Sequence, residues 1–324
     1  MHLAMNCLYG LAGVASHALY FRKGEHHLRA PLYAALLILA FFSLTLGLII
    51  SSNYLQRQTF ARLLVIGLWY LMGLYSSLLT YRLLLQPLRS FPGPLAAKAS
   101  GLWFSYQVIS KPKHRAFEEI QKLHAQYGPF VRIGPSNLVI NHPDAIQALF
   151  GNKSRCVKGD WYDFSVKDVT SLHSVRSTAV HSSWRRLWSG AFGDEQIRNY
   201  EKRIVPIREK LVADLEATAV NGGSTDMTEL FHRFNFDLTN DLAFGRSPNS
   251  LEDPSQRWTL KALQSGTAFL SFYFPAWVYV LFSSAPFLNM NTGWLRFIHL
   301  CRQKLQSRIE VIVAHSSTDL AATP

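Results

Sequence analysis

The sequence predicts a mainly α-helical protein with a small β-sheet, preceded by membrane-spanning helices. Long apolar stretches fill the first ninety residues, apolar residues recur at helical spacing along most of the remaining chain, and only one short region reads as strands. The composition agrees with this prediction. Only 17% of the 324 residues are charged and almost half are apolar, whereas an ordinary soluble domain has about 25% charged residues.

The first ninety residues contain three apolar stretches, at 3–21, 31–50 and 61–85. Each is near the length of about twenty residues that a transmembrane helix needs. The first stretch has no basic segment before it and no clear cleavage site after it, so we expect an uncleaved anchor rather than a signal peptide. We therefore predict a membrane anchor over residues 1–90 with three spans, two being the alternative.

Basic residues between the stretches predict the orientation of the anchor. The loop after the first stretch carries Arg22, Lys23 and Arg29, and the next loop carries Arg57 and Arg62. Five basic residues follow the third stretch: Arg89, Lys98, Lys111, Lys113 and Arg115. The positive-inside bias then places the first loop and the large C-terminal part in the cytosol.

The net charge of +12 accompanies no nucleic-acid motif. It indicates either a surface that faces anionic lipid or an acidic partner, or general surface charge without a specific partner.

The three cysteines, Cys7, Cys156 and Cys301, are far apart in the sequence. An odd and sparse set of this kind does not indicate a disulfide framework, and no C-x-x-C pair indicates zinc. A reducing compartment facing the cytosol suits such a chain.

Residues 91–324 are predicted to be globular and mostly helical. FPGP at 91–94 is predicted to form a stiff hinge, and a helix at 114–128 follows it. Two short strands come next, 130–133 and 138–141, with a GPSN turn between them, and another helix opens at Pro143. Further helices are predicted from about Gln196 and over 227–244, 258–272 and 292–314. The apolar segment 266–287 contains Pro275 and Pro286, so we interpret it as an amphipathic region that touches the membrane rather than as a fourth span.

The stretch HSSWRRLWSGAF at 181–192 predicts a helix with an unusual face. At 3.6 residues per turn, His181, Trp184, Arg185, Trp188 and Phe192 lie on one side, and Arg186 lies largely on the other. An arginine among aromatic rings on a buried face requires an anion. That anion is either an internal Asp or Glu, with His181 an ordinary core histidine, or a bound ligand.

The order of these motifs resembles the N-terminal portion of a membrane-bound fungal cytochrome P-450, a haem-thiolate monooxygenase. The resemblance covers nearly all of 91–314 and is carried by four stretches in order: FPGP, GPFVRIGPSNLVINHPDAI, HSSWRRLWSGAF, and FDLTNDLAFGRS at 236–247. It implies that residues 91–324 form the N-terminal part of a cytochrome P-450-like domain behind the anchor.

The resemblance also implies a cofactor, partners and site residues. In this family the helix matching 181–192 presents a basic residue to the haem propionates, with an aromatic residue or histidine one turn earlier, and Arg185 and His181 match these positions. Substrate-access positions match four aromatic residues: Trp161, Phe164, Phe272 and Phe274. The family takes electrons from NADPH-cytochrome P-450 reductase and inserts one oxygen atom of O2 into a lipophilic small molecule. Fungal relatives often do so in secondary metabolism, at the endoplasmic reticulum membrane.

The catalytic half of the family pattern does not occur in this sequence. None of the three cysteines lies in the family's F-x-x-G-x-x-x-C-x-G loop, and the acid–Thr pair of the oxygen-activating helix is also missing. The one E-x-x-R match, Glu195 to Arg198, comes too early and indicates an ordinary i,i+3 ion pair. No G-x-S-x-G or H-E-x-x-H motif replaces this chemistry. We therefore expect a truncated monooxygenase fragment that is inactive as written, and the alternative is a non-catalytic membrane-anchored relative that binds ligands or pairs with an intact enzyme.

Overall fold

The computed structural model describes residues 2–50, 54–111, 115–151, 153–165, 170–284 and 292–321. These form two compact units, one of Met1–Thr178 with Ser271–Leu288 and the other of Ala179–Leu270 with Asn289–Pro324. The described residues are mainly helical, with one two-stranded antiparallel sheet. The predicted fold class is confirmed, whereas the predicted domain boundary at residue 90 stays a prediction.

Three helices form the N-terminal part of the first unit. They are α1 (His2–Ser16), which continues as a π-helical turn over His17–Phe21, α2 (Ala30–Ile50), and α3 (Tyr54–Thr80), which continues as a π-helical turn over Tyr81–Leu85. Two described segments are long and apolar enough to cross a bilayer, His27–Ile50 and Gln56–Leu85. Helix α1 itself has only 15 residues and is not one of these two segments. The number of spans, three or two, stays a prediction.

Helices α1 and α3 pack closely and in parallel. A Cβ atom on Gly13 would lie 2.1 Å from the carbonyl oxygen of Tyr70, and one on Gly73 would lie 1.9 Å from that of Gly10. Further along both helices, a 2.9 Å hydrogen bond joins His17 Nδ1 and Ser77 Oγ. Small residues that allow such close approach are typical of helix pairs in membranes. The contacts advance in the same direction along both helices, so α1 and α3 run parallel.

The hinge after α3 is fixed by backbone contacts with the sheet. A 3₁₀ turn over Pro87–Ser90 precedes FPGP, and α4 (Leu95–Ala99) and α5 (Leu102–Ile109) follow it. Gly93 has a φ of +152°, a conformation that side chains with a Cβ rarely adopt. The amide of Arg132 donates to the carbonyl oxygen of Pro92 over 2.8 Å. The hinge therefore packs directly against the first strand.

Gly93→Ala is expected to destabilise this hinge by about 2 kcal/mol or more, through backbone strain. A Cβ atom at residue 93 would lie 2.3 Å from the carbonyl oxygen of Arg132, so the strand and the hinge must separate. Hydrogen exchange at the Arg132 amide measures the loss directly. Gly159→Ala is the control, because nothing lies within 4 Å of a Cβ atom there. Equal exchange rates in the two variants would contradict this account of the hinge.

The sheet pairs β1 (Phe130–Arg132) with β2 (Leu138–Ile140), with Val131 opposite Val139. Helix α6 (Ala116–Tyr127) precedes it and ends at Gly128, which has a φ of +90°. Helix α7 (Asp144–Phe150) follows it. Both strands and both helices lie where the sequence predicts them. A hydrophobic cluster beneath this region joins α5, α6 and β1: Phe104, Val108, Ala116, Leu123 and Val131.

Two further segments complete the first unit, a 3₁₀ turn over Asp160–Ser165 and helix α12 (Ala276–Ser284). Four residues of α12 are buried, Ala276, Val278, Tyr279 and Val280, and the helix packs against α2 and against Asp160–Ser165. No described helix spans 266–287, which agrees with the interpretation that this region is not a fourth span. Pro286 lies outside the described residues.

The described part of the second unit contains five α-helices. They are α8 (Thr178–Ser189, within this unit from Ala179), α9 (Asp194–Val220), α10 (Met227–Phe244), α11 (Arg257–Ala268) and α13 (Thr292–Ala321). Its core cluster joins α9, α10 and the following loop through Ile207, Leu211, Leu230 and Leu251. The FDLTNDLAFG motif forms the last turns of α10 and ends at Gly245, which adopts a left-handed conformation with φ +80°. Glycine permits this helix end because it has no Cβ atom.

Candidate functional site

The aromatic and basic face predicted on 181–192 lies on α8. His181 and Trp184 are half-buried, whereas Arg185 is exposed and Trp188 is 57% exposed. The prediction that Arg185 is buried is therefore wrong, although the helix and its shared face are present. Helical periodicity identifies which side chains share a face, but not whether another element of the same chain covers that face.

The surroundings of Arg185 distinguish between the two anions that the sequence allows. Among the described residues, no carboxylate lies within ion-pair distance of its guanidinium. An internal Asp or Glu partner is thus not found in the part of the chain that the structure describes. A guanidinium presents donors in a planar fork that fits carboxylates, and an imidazole on the same face adds a further donor. The donor set of Arg185 and His181 fits an external carboxylate.

Three of the four predicted access side chains come together in the first unit. The rings of Phe272 and Phe274 are 6.0 Å apart, and Phe274 and Trp161 lie 6.0 and 6.3 Å from the ring of Tyr279. Phe164 belongs to the neighbouring 3₁₀ turn, but its side chain is outside the described residues. Sequence reasoning missed Tyr279, the centre of this aromatic cluster. Burial raises the pKa of its phenol.

A second group that sequence reasoning missed joins the loop after α1 to residues 160–176. Arg176 donates to Glu25 over 2.7 Å and to Asp163 over 2.6 Å, and Nε2 of buried His27 donates to the same oxygen of Asp163 over 2.9 Å. The hydrogen bonds from Arg176 hold the pKa of the Glu25 carboxyl below its ordinary value. Glu25, His27 and Asp163 are close enough to hold a metal ion, but Arg176 already forms ion pairs with both carboxylates. The cluster is therefore an ion-pair network that fixes the loop.

The three cysteines do not have the environment of an iron thiolate. Cys7 and Cys156 are exposed, and Cys301 is half-buried. Burial raises the pKa of the Cys301 thiol above its ordinary value, with Lys304 opposing the shift. A metal-ligating cysteine requires the thiolate form. That none of these residues holds the iron stays a prediction from the sequence.

The single E-x-x-R match lies at the start of α9. Glu195 and Arg198 are both exposed, and no ion pair joins them within the described part of the chain. The prediction of an i,i+3 ion pair is therefore wrong. Both side chains extend into solvent, where such a pair is worth only a few tenths of a kcal/mol.

Comparison with known proteins identifies the family. The family model described as cytochrome P-450 matches residues 92–321, which is most of the chain after residue 90. The chain belongs to the cytochrome P-450 family. The resemblance drawn from the order of motifs is confirmed, and with it the partial cytochrome P-450 fold. No solved structure matches the chain.

Several fungal members of the cytochrome P-450 family are similar to this chain along nearly its whole length. It is 39% identical over 312 residues to the cytochrome P-450 monooxygenase notG' of Aspergillus versicolor, a match covering 94% of this chain and 55% of that protein. It is 35% identical over 322 residues to tryprostatin B 6-hydroxylase of Aspergillus fumigatus, covering 95% of this chain and 56% of that protein. The chain therefore spans about half the length of the curated relatives it matches.

Proposed function

We propose that this chain is the membrane anchor and N-terminal half of a fungal haem-thiolate monooxygenase. The whole protein would insert one oxygen atom of O2 into a lipophilic small molecule in secondary metabolism, with electrons from NADPH-cytochrome P-450 reductase. One observation carries the proposal: the family match covers nearly the whole globular part, yet that part contains no F-x-x-G-x-x-x-C-x-G loop. The chain alone is then inactive, because the iron has no thiolate ligand.

Two residues of this chain would bind the haem of the whole protein. Arg185 would pair with a propionate through its guanidinium fork, and His181, one turn earlier on α8, would donate a further hydrogen bond. The exposure of Arg185 and the lack of a carboxylate beside it among the described residues support this role. Haem with a cysteine thiolate supplies oxygen activation, since the thiolate favours cleavage of the O–O bond. That cysteine would lie in the half of the family pattern that this chain does not contain.

The aromatic cluster around Tyr279 supports a lipophilic substrate. We infer that Trp161, Phe272 and Phe274, together with Phe164, line the route by which the substrate enters. Helix α12, which carries Tyr279, packs against α2, an apolar helix long enough to cross the bilayer. An aromatic entrance beside such a helix favours apolar molecules that partition into the membrane.

The packing of the anchor supports three spans in the membrane of the endoplasmic reticulum. Because α1 runs parallel to α3, a bilayer crossed by α3 is crossed by α1 in the same direction. The π-helical turn extends α1 to Phe21, about 30 Å in all at 1.5 Å per residue. The network of Glu25, His27, Asp163 and Arg176 joins the loop after α1 to the globular part. This contact agrees with the predicted orientation, in which both face the cytosol.

Exposed apolar side chains support a missing half rather than a degenerate protein that works alone. In the second unit, four large side chains on α8, on the following turn and at the start of α9 are more than half exposed: Leu187, Trp188, Phe192 and Ile197. A stable protein of this length would be expected to carry polar residues there. The non-catalytic alternative therefore has no observation in its favour.

The reduced carbon-monoxide difference spectrum of the purified 324-residue chain, reconstituted with haem, tests the proposed function. We expect no thiolate-type band, because Cys7, Cys156 and Cys301 all lack the family loop. Haem that binds without giving this band agrees with a site that holds the propionates but lacks the cysteine ligand of the iron. A thiolate-type band from this chain would refute the proposal that the catalytic half is absent.

A further inference from the structure

A groove of about 410 Å³ lies between the last turns of α1 and α3. Six polar or aromatic residues line it: His17, Arg22, Ser76, Ser77, Thr80 and Tyr81. Three aliphatic residues, Val14, Ala18 and Leu85, complete its walls. The groove therefore combines hydroxyl and cationic groups with an apolar surface in one concave site.

The charge of the groove comes from Arg22. Its guanidinium lies 4.8 Å from the ring centre of Tyr81, and among the described residues no carboxylate pairs with it. No acidic residue lines the groove. Arg82, the nearby arginine of α3, instead donates to the carbonyl oxygen of Ala99 over 2.7 Å. Arg22 is thus the cation available to a bound anion.

The position of the groove along α3 indicates what reaches it. Leu85 is the last residue of the π-helical turn that ends α3, and the hinge and its basic residues follow. Ser76 is nine residues earlier, which is about 14 Å along a helix. That distance covers the headgroup layer and the start of the hydrocarbon. A ligand in the groove therefore has a polar end near Arg22 and an apolar end beside Val14.

We propose that this groove binds an acidic glycerophospholipid of the leaflet that faces the globular part. The lipid phosphate would pair with Arg22 and accept a hydrogen bond from the hydroxyl group of Thr80, while an acyl chain lies along Val14 and Ala18. The inference rests on the membrane orientation proposed above, but not on the monooxygenase activity. A bound lipid would fix α1 to α3 at the cytosolic surface.

Native mass spectrometry of the full chain, released from nanodiscs of phosphatidylcholine with a minor fraction of phosphatidylserine, tests the proposal. Arg22→Gln is expected to lower the number of retained phosphatidylserine molecules about tenfold or more, as for the loss of one charge-assisted hydrogen bond. Ala18→Phe fills the groove without changing charge and is expected to lower retention similarly. Lys23→Gln removes the same charge one residue away, outside the groove, and is expected to stay within twofold of the unchanged chain.

The outcomes separate a built site from general attraction. Equal losses in Arg22→Gln and Lys23→Gln would show surface charge only, and unchanged retention in Arg22→Gln would show no site; either result overturns the proposal. Retention abolished by excess inorganic phosphate would show a site for a free anion and also overturns it. Alkaline extraction first confirms that each variant is inserted. A variant that is extracted from the membrane would refute the proposed anchor topology, which keeps that failure distinct from the lipid site.

Discussion

Replacing Arg185 with glutamine is expected to reduce haem retention about tenfold or more in a cytochrome P-450 that contains this chain. A suitable protein joins residues 1–321 to the remaining C-terminal part of tryprostatin B 6-hydroxylase of Aspergillus fumigatus, to which the chain is 35% identical over 322 residues. Glutamine would remove the proposed charge-assisted pair with a propionate, which is worth about 1.5–3 kcal/mol. Haem content per protein, measured after dialysis against apomyoglobin, gives the ratio.

Arg186→Gln is the matched control for this prediction. Arg186 follows Arg185 directly, is also exposed, and lies about 100° further around the helix. The same charge is lost, so a general electrostatic effect on haem binding would appear in both variants. Retention that falls equally in Arg185→Gln and Arg186→Gln would contradict the assignment of Arg185 to a propionate.

Asp237→Ala is expected to destabilise the second unit by about 3 kcal/mol. Asp237 is 2% exposed, and its two carboxylate oxygens accept the backbone amides of Ser250 and Leu251 over 2.8 and 3.0 Å. Alanine leaves both buried amides without an acceptor, and each unpaired group costs about 1–3 kcal/mol. Hydrogen exchange at the amides of residues 250 and 251 and the urea midpoint of the detergent-solubilised protein measure the loss.

Asp253→Ala provides the comparison for Asp237→Ala. Asp253 also accepts a backbone amide, that of Ser255 over 2.8 Å, but this hydrogen bond is exposed to solvent. Water replaces that hydrogen bond, so a loss of about 1 kcal/mol or less is expected. If Asp237→Ala were no more destabilising than Asp253→Ala, the carboxylate of Asp237 would not hold the loop after α10.

Residue patterns predicted the helices and strands because each element has its own periodicity or end signal. Gly128 ends α6, Pro143 immediately precedes α7, and the spacing of leucines and phenylalanines marks α10, all within a few residues of the structure. The family resemblance followed from the order of these elements rather than from any single motif. Local signals of this kind depend only on neighbours in sequence.

Contacts between distant residues were not predictable in the same way. Asp237 looks like an ordinary helix residue in FDLTNDLAFG, and nothing in the sequence links Arg176 to Glu25, 151 positions away. Arg132 is another example. It is fully buried and donates to the carbonyl oxygens of Arg82, Gly134 and Pro135, which only the folded hinge brings together. The burial of Arg185 was wrongly predicted, because periodicity shows which residues share a helix face but not whether another element covers that face.

Sequencing the transcript beyond the codon for Pro324, together with the mass of the native protein, tests the central claim most directly. We expect the reading frame to continue to a cysteine loop of the F-x-x-G-x-x-x-C-x-G kind, and the native protein to be about twice the mass of this chain. Arg185 and His181 would then belong to the haem site of a working monooxygenase. A stop codon directly after Pro324, with a stable protein of 36.7 kDa, would contradict the claim that this chain is half of an enzyme.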